Sequence, residues 1–225
     1  MTHIFTLPTP SVAIYGIKSR FPVRRIFCVG RNYEDHAKEF GHNPKDPPYF
    51  FTKPADTVVE SGAKLPFPVG TENLHFEAEL VVAIGTDGSA VPRDTALEHV
   101  FGFAAGNDLT RRDLQAKAKD ARRPWDMAKG FDNSAVLGAI TPIADWNRDH
   151  ARITCTLEGE INQDADIADM PWPVPDIIAS LSRLVHLRAG DLIMTGTPAG
   201  VGQIRPGQVC TVAIEGLAEA TVTLG

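Results

Sequence analysis

His75-Phe-Glu-Ala-Glu-Leu-Val-Val-Ala-Ile-Gly85 is the stretch around which the rest of the chain is read. Its second half, Leu80 to Ile84, is an unbroken apolar run rich in β-branched residues, closed by Gly85. Such a run predicts a strand covered on both faces. Glu77 and Glu79 lead into it two residues apart, and on a strand residues i and i+2 share a face. Two carboxylates side by side at the entrance of a buried strand repel each other and are costly to desolvate. A cation between them relieves both costs. A half-exposed strand end with two solvated glutamates is the commoner fate of a bare Glu-x-Glu. Here the apolar continuation ranks the metal reading above it.

Other strands are expected on both sides of this one. Arg25 to Val29 ends at Gly30, and Tyr49 to Lys53 ends at Pro54. Glu98 to Gly106 delivers Asn107 and Asp108 to a strand end. Arg152 to Leu157 and Glu160 to Gln163 flank Glu158-Gly159 as a hairpin. Leu192 to Thr195 runs into Gly196-Thr-Pro-Ala-Gly-Val-Gly202, and Val209 to Ile214 and Ala218 to Leu224 close the chain. Three helices are expected. Arg31 to Phe40 has Asn32 as N-cap and Gly41 as C-cap. Arg111 to Asp120 follows Thr110 as a possible cap. The third opens at Pro173 and Pro175 and carries Ile177, Ile178, Leu181, Leu184 and Val185 at helical spacing. Residues 1–24 read as an irregular, proline-punctuated lead-in with a short strand at Val12 to Tyr15, and residues 121–135 read as irregular. With no repeat or linker in evidence, one domain is expected.

Composition narrows the function classes. The chain has 225 residues, enough for one sizeable core. A formal net charge of -6 argues against nucleic acid as the main partner. No apolar run approaches a membrane span, and the N-terminus lacks the basic and apolar regions of a signal peptide. Cys28, Cys155 and Cys210 form no CxxC pair, which fits a reducing cytoplasm.

Nucleophile-elbow, zincin and P-loop motifs are absent. What remains is oxygen-rich. Glu77, Glu79 and Asp108 would be hard ligands suited to Mg²⁺ or Mn²⁺, although Asp108 alone reads equally well as a turn or capping residue. His36 and Glu39 stand at i and i+3, where a carboxylate could orient an imidazole as a general base. An exposed helix with an incidental histidine is the competing reading. Lys53, Arg112 and Lys129 flank strands, where they could meet an anionic substrate or simply be solvated. The glycines at 196, 200 and 202 make a tight loop or, with Thr197, donors to a ligand anion.

As a set these pieces resemble the fumarylacetoacetate hydrolase family. The matching stretches are Cys28-Val-Gly-Arg-Asn-Tyr33 with His36 and Glu39, Phe51-Thr-Lys-Pro54, His75 to Glu79, Asn107 to Asp113, Ala128-Lys-Gly130 and Thr195 to Gly202, in the family's order. Within the family, Phe21 to Ile26, Lys53-Pro-Ala-Asp56 and Arg123-Pro-Trp125 are most similar to enzymes acting on fumarylpyruvate in aromatic catabolism. The resemblance implies an α+β fold, a mixed β-roll with peripheral helices, spanning residues 25–225 as the catalytic domain and forming a homodimer. It implies a divalent metal, Mg²⁺ or Mn²⁺, on Glu77, Glu79 and Asp108. It implies a His36–Glu39 dyad on a mobile lid and Lys129 at the reacting carbonyl. Arg112, with Arg31 or Lys53, would neutralise substrate carboxylates, with Thr197 alongside. The implied reaction is hydrolysis of a carbon–carbon bond in an acylpyruvate, a β-keto acid. Decarboxylation of oxaloacetate through the same enolate is the alternative, and a non-catalytic binding protein a more distant one.

Overall fold

The computed structural model describes residues 4–30, 32–33 and 47–225. The helix expected over Arg31 to Phe40, with Arg31, His36, Glu39 and most of the expected lid, lies outside the described residues. The apolar run forms the strand Ala78–Ile84, buried at every position. It pairs antiparallel with Val100–Asp108 on one side and Asp191–Met194 on the other. These three are the middle of an eight-stranded mixed sheet. Beyond Asp191–Met194 lie Arg25–Gly30, parallel to it, and then Tyr49–Lys53. Beyond Val100–Asp108 lie Ala135–Leu137 and Val58–Glu60.

Period-two alternation splits the central strand between two cores. Leu80, Val82 and Ile84 join Phe27, Val29, Phe103, Ala105 and Ile193 in the larger one. That core is shared with a five-stranded sheet built on Arg152–Leu157, Val209–Ile214 and Ala220–Leu224, and with the helix Val174–Leu184. Val81 and Ala83 join Ile26, Cys28, Ala104, Leu192 and Met194 on the opposite face. The result is the mixed β-roll with peripheral helices that the sequence led us to expect. The Arg152–Leu157 hairpin turns at Glu158 and Gly159, both at positive φ, the two-residue geometry that matches strand twist. In the same sheet, Cys155 and Cys210 are free thiols with sulfurs 3.5 Å apart.

Several local expectations need correction. The short strand expected at Val12 to Tyr15 is present as Ser11–Ile14, but the rest of the lead-in is not irregular: Ile17–Pro22 pairs with it as a hairpin, and Val12, Ile14 and Phe21 are buried in the smaller core. Thr110 does not cap the next helix. Its hydroxyl donates to the Asp108 carbonyl at 2.9 Å, and the helix runs Arg112–Asp120. The stretch read as irregular contains a short helix, Asp126–Lys129. Leu184 fits the helical spacing yet is 71% exposed, at the last residue of the helix, while Leu181 one turn earlier is buried.

Candidate active site

Glu77 occupies a break between two strands, Leu74–Phe76 and Ala78–Ile84, which belong to different sheets. Its main chain is fixed on both sides. The Glu77 N–H donates to Asn107 Oδ1 at 3.0 Å, and its carbonyl accepts from the Asp108 N–H at 2.9 Å. Glu79 lies within the central strand and has the parity of Val81 and Ala83. Its Oε2 accepts from the Gly196 N–H at 2.8 Å. Gly196 stands at φ +101, and a Cβ there would lie 2.8 Å from Asn32 Cβ, so the close approach needs glycine. Asp108 ends the neighbouring strand. One oxygen from each of Glu77, Glu79 and Asp108 lies within 4.8 Å of the others, and all three residues are buried. The turn-or-cap reading of Asp108 is set aside by this placement of its carboxylate.

Three cationic side chains surround the three carboxylates. Lys129, at the end of the Asp126–Lys129 helix, donates to Glu77 Oε2 at 2.7 Å and to Asp108 Oδ2 at 2.6 Å. Arg112 donates to Glu77 Oε1 at 2.5 Å and to Gln115 Oε1 at 2.6 Å. Lys53 Nζ lies 2.7 Å from Asp108 Oδ1. It also donates to the carbonyls of Leu109, Lys129 and Ser134 and to the Ser134 hydroxyl. That ammonium is thus committed behind the carboxylates, with no exposed side-chain surface, rather than placed to meet a substrate. Burial pushes the Glu79 carboxyl well above its ordinary range, and the charges of Asp108 and Glu77 add to this. Burial pulls the Lys129 ammonium down, but Asp108 and Glu77 outweigh it and hold it above its usual range.

The donor set fits a hard divalent cation: three buried carboxylates gathered at one point, of which Glu77 and Glu79 line a cavity. The carboxylates are already balanced by Lys53, Lys129 and Arg112. A bound divalent cation would therefore leave a local positive excess, suited to an anionic substrate. Glu77, Glu79, Arg112, Lys129 and Thr197 all line the cavity. The Thr197 hydroxyl accepts from Gln163 Nε2 at 2.8 Å. Sequence reasoning gave no site role to Gln115, Lys119, Tyr49, Phe51 or Trp125, which line the same space. The signal for two of them was present, since Arg112, Gln115 and Lys119 recur at i, i+3 and i+7. Arg31, His36 and Glu39 fall outside the described residues.

Residues 25–224 match the family model described as fumarylacetoacetate (FAA) hydrolase C-terminal. The chain belongs to the fumarylacetoacetate hydrolase family. A fumarylpyruvate hydrolase of a Ralstonia species is 43% identical over 177 residues, covering 79% of this chain and 92% of that protein. A mitochondrial oxaloacetate tautomerase of Arabidopsis thaliana is 38% identical over 196 residues, covering 87% and 88%. Among solved structures of the fumarylacetoacetate hydrolase family, fumarylpyruvate hydrolase from Pseudomonas aeruginosa in complex with Mn²⁺ and pyruvate superposes with a TM-score of 0.95. It is 45% identical and covers 99% of each chain.

Proposed function

We propose that this protein is a metal-dependent hydrolase that cleaves a carbon–carbon bond in acylpyruvates, converting fumarylpyruvate to fumarate and pyruvate. The observation that carries the reading is the buried trio of Glu77, Glu79 and Asp108, two of which, Glu77 and Glu79, line a cavity together with Lys129 and Arg112. The Ralstonia and Pseudomonas relatives support the choice of substrate. Glu77, Glu79 and Asp108 would hold a Mg²⁺ or Mn²⁺ ion, which would supply Lewis-acid stabilisation of the negative charge that develops on the pyruvate half. Arg112 neutralises and orients the pyruvate-end carboxylate. His36, oriented by Glu39, takes a proton from water as its oxygen adds to the acyl carbonyl carbon. Lys129 stabilises the oxyanion formed there. The bond between that carbon and the pyruvate methylene then breaks, its electron pair stays with the pyruvate carbon as an enolate, and the proton held at His36 returns to that carbon. The resemblance also supports a cytoplasmic homodimer serving the breakdown of aromatic compounds.

The Arabidopsis relative favours a second reading, action on oxaloacetate, whose tautomerisation or decarboxylation needs the same enolate but no attacking water. Turnover of fumarylpyruvate, acetylpyruvate and oxaloacetate side by side with Mg²⁺ or Mn²⁺ decides between them. Fumarate and pyruvate released in equal amounts from the first substrate are expected. Turnover of oxaloacetate alone would overturn the hydrolase reading.

A further inference from the structure

The cavity continues past the carboxylate trio along the helix Arg112–Asp120, onto groups for which cleavage itself has no use. Arg112, Gln115 and Lys119 stand at i, i+3 and i+7, and all three line the cavity, so one helix face is turned towards it. Arg112 and Gln115 are tied to each other, and Arg112 to Glu77, at the inner end. Lys119 stands two turns further on, about 10 Å along the helix axis, at the exposed mouth. The side chains of Arg112 and Lys119 lean the same way along the helix, towards its N-terminus, so the spacing of about 10 Å between them is kept. Phe51, Tyr49 and Trp125 line the same space, with the Trp125 ring centroid 5.9 Å from those of Phe51 and Tyr49.

We propose that Lys119, with Trp125 and Phe51, forms a distal subsite that selects acylpyruvates whose acyl chain is flat and ends in a second carboxylate. Lys119 receives the terminal carboxylate and the rings lie against the conjugated chain. The inference rests on the acylpyruvate reading and deepens it. The dimensions agree. A seven-carbon dicarboxylate has six carbon–carbon bonds of about 1.5 Å, hence a carboxyl-to-carboxyl reach of about 7–8 Å. With one ion-pair contact of about 3 Å at an end, that reach spans the run of about 10 Å between Arg112 and Lys119. The charges agree as well: Arg112, with a cation that the trio would hold, would serve one end of a dianion and Lys119 the other. A monocarboxylate such as acetylpyruvate has nothing to offer Lys119.

The test compares fumarylpyruvate with acetylpyruvate in the wild type, Lys119→Met and Lys119→Arg. The ratio of kcat/KM for fumarylpyruvate over that for acetylpyruvate should fall about 10–100-fold in Lys119→Met, the scale of one hydrogen bond to a charged group. The fall should appear mainly in KM, and Lys119→Arg should retain most of the ratio. An unchanged ratio in Lys119→Met overturns the proposal. Calorimetric binding of fumarate and crotonate is a second readout that needs no turnover. Tighter wild-type binding of fumarate, with the difference abolished in Lys119→Met, supports the subsite; equal wild-type affinity for both overturns it. If the wild type cleaves neither acylpyruvate, it is the acylpyruvate reading that fails, and the binding comparison still decides whether Lys119 recognises a second carboxylate.

Discussion

Lys53 shows what a single residue contributes at this site. Its ammonium is fully buried among the oxygens of Asp108, Leu109, Lys129 and Ser134, which makes it the counter-charge behind the carboxylates. Lys53→Met leaves Asp108 without that partner in a buried setting. Breaking a buried ion pair on one side costs about 3–5 kcal/mol, so urea unfolding in the presence of EDTA should show a loss of that size. A loss below about 1 kcal/mol would mean that the pair is not held as described. The sequence reading placed Lys53 at the substrate because a lysine ending a strand looks the same whether solvated or buried. Its oxygen partners lie 55 to 81 residues further along the chain and have no local signature. Glu77 and Glu79 were legible for the opposite reason: their spacing and the apolar run after them are local. Asp108 was half legible, as the end of a strand whose neighbour could not be read.

At the scale of elements, the Thr195–Gly202 loop and the Arg112–Asp120 helix hold the site's edges. Gly196 combines a left-handed backbone with an N–H aimed at Glu79. Gly196→Ala should cost about 1–3 kcal/mol through strain alone and should also weaken Mn²⁺ binding, because Glu79 loses its anchor. Denaturant unfolding and metal titration of the variant check the two effects separately. Asp113 ties the start of the helix to the segment before the strand Leu74–Phe76, accepting from Thr71 Oγ1 at 2.6 Å and from the N–H of Glu72, and it also accepts from the N–H of Leu114 in its own helix. Partial burial pushes its carboxyl up, but these hydrogen bonds outweigh burial and hold it below the ordinary range. A depressed carboxyl stabilises the fold above its unfolded pKa, and that contribution is lost as pH falls through the folded value. Asp113→Ala should therefore cost about 1 kcal/mol at pH 7, kept small by solvent screening. The gap from wild type should close as the pH drops below about 4. A gap that persists there would assign the loss to packing. The helix itself was legible, but its start was not, since Thr110 is a capping residue type and only the fold turns its hydroxyl to the Asp108 carbonyl and leaves Arg111 at the N-cap position.

In the whole molecule, one mixed sheet separates two cores, and the Ser11–Pro22 hairpin covers the smaller one. Phe21 is its buried anchor, packed 5.3 Å from the Phe101 ring centroid. Phe21→Ala should lower stability by about 3–5 kcal/mol in thermal or urea unfolding; a loss below 1 kcal/mol would mean that the hairpin is dispensable to the core. The strands Ala78–Ile84, Val100–Asp108 and Asp191–Met194 were legible because burial on both faces writes continuous apolar runs. Of the hairpin only the first strand was legible, because Ile17–Pro22 buries only Phe21 and shows no alternation. The same sheet brings Glu77, Glu79 and Asp108 to one point, and the account stands on what that point holds. Mn²⁺ titration of EDTA-stripped protein, followed by electron paramagnetic resonance, tests it most directly. The wild type should bind one ion per chain, and Glu77→Ala or Glu79→Ala should each weaken that binding by at least about 10-fold. Unchanged stoichiometry and affinity in both variants would contradict the account.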